Sequence, residues 1–64
     1  MYVLTLNGEM LFEGDPKSLR IIFNNLVSQD EDYKRYMQSL VNLTIKGTVR
    51  LLDDRGNVVK QQNI

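Results

Sequence analysis

Apolar and polar residues alternate from Leu43 to Leu51: Leu43, Ile45, Val49 and Leu51, with Gly47 in phase, take the odd positions and Thr44, Lys46, Thr48 and Arg50 the even ones. A period of two over nine residues predicts a strand with one dry and one wet face. A sheet covered on both sides would not accept Lys46 and Arg50 without partners, so one face is expected to be open to solvent. Gly47 is expected to make room for a helix against the sheet, since the alternation continues through it unshifted.

Tyr2 to Leu6 and Glu9 to Glu13 flank Asn7-Gly8, the dipeptide best suited to the two positive φ angles of a type I′ turn. A two-residue loop with a regular ladder sets Leu6 opposite Glu9, Thr5 opposite Met10, Leu4 opposite Leu11 and Val3 opposite Phe12. One face then carries Tyr2, Leu4, Leu6 and Leu11, the other Val3, Thr5, Met10 and Phe12, and both are largely apolar. Next, Gly14-Asp15-Pro16 ends the strand and starts a helix, with Asp15 as cap and Pro16 at the first position. Leu19, Ile22, Phe23 and Leu26 form one helical stripe, with Ile21 off it; Tyr33, Tyr36, Met37, Leu40 and Val41 form a second. Between them Ser28-Gln29-Asp30-Glu31 reads as a capping box. One helix from Pro16 to Val41 is the alternative, but at about 39 Å it would overhang a strand of roughly 17–20 Å, so two helices are expected.

After the long strand, Asp53-Asp54-Arg55-Gly56-Asn57 reads as a hairpin loop with Gly56 in the left-handed position, pairing Leu52 with Val58 and Leu51 with Val59. Residues 61 to 64 show no packing pattern and are expected to fray. The elements run ββααββ. The fold class is therefore α+β: one domain over residues 1–64, a four-stranded antiparallel sheet with both helices on one face.

Sixty-four residues hide only about 60% of the surface that the unfolded chain exposes, so stability is marginal. With no Cys and no His, neither a disulfide nor a structural zinc is expected to reinforce the core, which leaves oligomerisation. The same absence removes the usual nucleophile and proton relay, so no enzyme activity, cofactor or metal is expected. Asp53-Asp54 is the one acidic pair outside the helical charge run, and turn formation explains it. Tyr33 and Tyr36 have the spacing of core residues rather than of a stacking site.

Eight basic and eight acidic residues cancel, so no overall field draws the chain to nucleic acid or an anionic membrane. No leader pattern follows Met1, and no stretch approaches the roughly 20 apolar residues of a membrane span; a cytoplasmic location is expected. Asn42-Leu43-Thr44 matches a glycosylation acceptor, a match without meaning in that setting. The first hairpin has one apolar face too many: either Val3, Met10 and Phe12 are spare beside Lys46 and Arg50, which together with Ile21 make the candidate interface, or those three turn inward and Leu4, Leu6 and Leu11 are exposed instead. The functional expectation is a non-enzymatic protein-interaction module that self-associates, most simply as a dimer, and binds another protein. Such a chain suits a bacterial or phage accessory protein that acts by binding. The alternative is single-stranded nucleic acid on the open sheet face, with Phe12 stacking on bases and Lys46 and Arg50 meeting phosphates.

Overall fold

A computed structural model of the chain describes Met1 to Ile64. The strands are β1 (Tyr2–Leu6), β2 (Glu9–Gly14), β3 (Thr48–Leu52) and β4 (Val58–Asn63), and the helices are α1 (Pro16–Val27) and α2 (Glu31–Val41). All neighbouring strands are antiparallel and their order is β2-β1-β3-β4. The chain thus has the expected ββααββ order, with the first strand of each hairpin in the middle of the sheet and the second at an edge.

Asn7 and Gly8 both have positive φ, 52° and 84°, as the type I′ turn requires. Asp15 caps α1 by accepting the Ser18 N–H at 2.9 Å. The helical segment is broken, since Gln29 is left-handed at φ 65° and Asp30 caps α2 by accepting from Asp32 and Tyr33. Asp30, not Ser28, is therefore the N-cap; Ser28 ends α1 instead. Both helices lie on one face of the sheet, where Leu19, Phe23 and Leu26 of α1 and Met37 of α2 enclose a core with Leu4, Leu6, Ile45, Val49 and Leu51.

Two bulges change the expected register. In β2 the extra residue is Leu11, so Phe12 rather than Leu11 stands opposite Leu4, and both Leu11 and Phe12 pack against the core. A bulge sets two successive residues against one partner, which lets both apolar side chains reach the dry face where a regular ladder admits only one. In β4 the extra residue is Val59, and Lys60 instead of Val59 pairs with Leu51. One inward rung is consequently Phe12, Leu4, Leu51 and Lys60, and the next outward rung is Met10, Thr5, Arg50 and Gln61.

The strand expected from Leu43 begins only at Thr48. Asn42 is left-handed at the end of α2, and between it and Gly47, which pairs with Ile64, the chain is held largely by side-chain bonds. Gln38 accepts the Ile45 N–H at 2.9 Å, while the Asn7 side-chain amide donates to the Lys46 carbonyl at 2.8 Å and accepts the Thr48 N–H at 2.9 Å. Gly47 has φ 119°, and a Cβ there would collide with that Asn7 amide. Its smallness serves the approach of Asn7, not of a helix. Ile45 is nevertheless buried, so the apolar side chain reaches the core from irregular backbone.

From residue 61, where fraying is expected, the chain has paired strand backbone. Gln61–Asn63 continue β4, Ile64 and Gly47 exchange backbone hydrogen bonds at 2.8 and 3.1 Å, and Ile64 packs against the core. Ladder bonds hold this segment in place of the packing pattern that its sequence lacks.

Candidate functional site

The main concavity lies between β2 and the end of α2. It is an open groove of about 650 Å³ lined by Met10, Leu11, Phe12, Leu40, Val41 and Leu43, with Glu9 and Asn42 at its rim. The bulge positions the β2 wall by turning Leu11 and Phe12 inward together. The other wall follows from where α2 sits. Of its expected apolar stripe only Met37 is buried; Tyr33 and Val41 are half-buried, and Tyr36 and Leu40 remain 61% and 57% exposed. The Tyr33 and Tyr36 rings lie 6.3 Å apart, inclined at 52°, so Tyr33 joins the core edge while Tyr36 extends the apolar flank of α2 beyond the groove.

The electrostatics of the rim are one-sided. Glu9 is the one charged lining residue, and no basic residue occupies the last turn of α2. The carbonyl end of a helix is the negative end of its dipole, so the α2 terminus at Asn42 adds to the acidic character of this rim.

The six expected interface residues do not form one patch. Val3 and Arg50 are half-buried on the outer sheet face, where Arg50 Nε donates to Gln61 Oε1 at 2.8 Å. Met10 faces outward opposite Thr5, is 56% exposed, and also borders the groove. Phe12 is on the helical side, because the bulge reverses its direction. Lys46 is exposed in the segment before β3, and Ile21 is 54% exposed on α1. Met10 and Phe12 therefore meet at the groove, while Phe12, Lys46 and Arg50 do not share the open face that base stacking with phosphate contact would need. Leu11, Leu40, Val41 and Leu43 complete the groove; the exposed Leu40 was hidden in a stripe wider than an 11-residue helix buries here.

Carboxylates elsewhere serve the fold. Asp53 accepts backbone N–H groups from Arg55 and Asn57, both at 2.9 Å, and the Asn57 N–H leads the contacts that hold its carboxyl below the ordinary value of 3.8. The Ser18 backbone N–H does the same, as the largest contribution, for Asp15. No group of three or more His, Cys, Asp or Glu side chains is arranged to hold a metal ion, and no helix is long and apolar enough to cross a membrane. Compared with protein-family models, curated proteins and solved structures, the chain matches none. Function has to be read from the surface itself.

Proposed function

We propose that the chain is a non-enzymatic protein-interaction module whose docking surface is the groove between β2 and the end of α2. The observation that carries this reading is the continuity of apolar side chains, Met10 through Phe12 with Leu40, Val41 and Leu43, beside a strand edge that nothing covers. Aromatic and Met side chains within a polar rim are the usual centre of a protein contact. The chain also self-associates, most simply as a dimer. A symmetric pairing of β2 centred on Leu11 would set bulge against bulge and place the outward Met10 of each copy opposite the inward Phe12 of the other, whereas a symmetric pairing of β4 centred on Gln61 opposes Lys60 and Gln62, which face the same way, and brings no like charges together. The dimer therefore forms along β4 and leaves the groove free.

The docking reading is tested by selecting random displayed peptides on the wild-type chain and on Leu40→Asp, an exposed position in the last turn of α2 where the change is expected to cost about 1 kcal/mol of stability through helix propensity and the helix dipole. Peptides that bind the wild type and lose at least about tenfold in affinity, roughly 1.4 kcal/mol, on Leu40→Asp support it. A selection in which no clone distinguishes the two overturns it.

A further inference from the structure

Resting on that docking reading, we propose that the occupant of the groove is an extended protein segment that adds to β2 as a fifth strand and carries Lys or Arg beside its apolar side chains. The sheet ends at β2, and the alternation of an antiparallel ladder decides which backbone groups are free there. Leu6 and Glu9 flank a two-residue turn and form a bonded pair, so at the next position Met10 turns its N–H and C=O to the open side. An added strand finds this donor and acceptor waiting, and every second side chain that it brings falls toward the groove.

The floor that receives those side chains is apolar, with Phe12, Leu40, Val41 and Leu43 available for contact. The rim is acidic on two independent counts, the Glu9 carboxylate and the uncompensated carbonyl end of α2, and no Lys or Arg lines the groove to oppose them. A segment with cations flanking its apolar positions matches both features. The same rim argues against a second β2 as occupant, since the charged side chains of that strand, Glu9 and Glu13, are both acidic and supply no cation.

Two synthetic peptides of about seven residues, an ordinary strand length, separate the elements of this proposal: one alternates Val and Thr between terminal lysines, the other is identical but ends in glutamates. Each is titrated into the full-length chain labelled for nuclear magnetic resonance. The lysine peptide is expected to shift the amide signals of Met10 to Phe12 and Leu40 to Leu43, to bind at least about tenfold tighter than the glutamate peptide, and to lose most of that advantage at about 0.5 M salt. Bound peptide is also expected to slow hydrogen exchange of the Met10 amide. Glu9→Gln, at an exposed position, should narrow the gap between the peptides. Equal affinity of the two, binding in the groove without protection of Met10, or binding of neither peptide overturns the proposal. Displayed peptides that depend on Leu40 but show no basic preference would end it while leaving the docking reading intact.

Discussion

β2 and β4 are each the second strand of a hairpin, each carries one bulge and each lies at an edge of the sheet, yet the bulges have opposite consequences. In β2 the extra residue brings Leu11 and Phe12 against the core. In β4 it brings Lys60 inward, where the Nζ lies 5.8 Å from the centre of the Phe23 ring and donates to Asn24 Oδ1 at 3.3 Å, while Val58 is left 52% exposed. The stem of Lys60 covers apolar surface that an apolar residue would otherwise cover, with its charge still in solvent. Open edges invite pairing, and charged side chains and bulges are the usual restraints on it. The β4 edge is polar along Lys60, Gln61, Gln62 and Asn63; the β2 edge is restrained only by Glu9 and Glu13 and runs beside the groove. One kind of backbone irregularity thus yields a largely amide-lined edge on one side and an acidic, apolar edge on the other.

The largest expected effect breaks this contrast at an inward position of each edge strand. A fully buried Phe is worth about 3–5 kcal/mol against Ala, and Phe12, half-buried, should cost about 2 kcal/mol when changed to Ala. Gln62→Ala, inward on the other edge but exposed, should stay within about 0.5 kcal/mol. Urea unfolding of both variants measures the difference. Equal midpoints would mean that Phe12 contributes no more to the core than an exposed amide, and the assignment of the bulge to Leu11 would fall.

A smaller effect separates the edges in association. Gln62→Lys sets two lysines against each other at both ends of a β4 pairing centred on Gln61, and dimer affinity should fall by about tenfold, roughly 1.4 kcal/mol. Light scattering after size exclusion reads this as a shift from about twice the 7.4 kDa of one chain toward that mass itself. If Gln62→Lys leaves the dimer unchanged and Met10→Lys dissolves it, the copies meet along β2 and the groove is their interface. A wild-type chain that remains at 7.4 kDa at high micromolar concentration ends the self-association reading.

Local chemistry made the turns and caps legible in the sequence: Asn7-Gly8, Asp15-Pro16 and Asp53 to Gly56 each demand a particular backbone, and each adopts it. The bulges were not legible. Met10-Leu11-Phe12 is a run of three apolar residues, which fits either register, and one inserted residue reverses every side chain beyond it. The alternation from Leu43 identified the buried Ile45, Val49 and Leu51 correctly but not the start of β3, because Asn7 and Gln38 replace ladder bonds with side-chain bonds that no periodicity encodes. The groove depends on where α2 rests relative to β2. Leu40 carries the spacing of a core residue, and only the placement of the helix leaves it outside.

The smallest expected effect is confined to one hairpin. The β3–β4 loop is closed by an ionised Asp53, which accepts from the Asn57 and Arg55 N–H groups, whereas the β1–β2 turn holds Asn7 through an amide that does not titrate. The Asp53 carboxyl in the folded chain ionises below its ordinary value of 3.8, so its contribution to stability is fully present above that value and is lost as the pH falls through the lower, folded one. Acid should therefore loosen the second hairpin before the first. Hydrogen exchange at matched intrinsic rates, followed from neutral pH downward, is expected to show the Arg55 and Asn57 amides losing protection below about pH 4 while the Thr48 amide, bonded to Asn7, keeps its own. Asp53→Asn should flatten the pH response of the loop and leave that of Asp15 at the start of α1, whose carboxyl is also held down, as the remaining acid-sensitive contact. Simultaneous loss of protection in both hairpins would show instead that acid acts on the fold as a whole, and that the two turns differ in sequence but not in how they hold their strands.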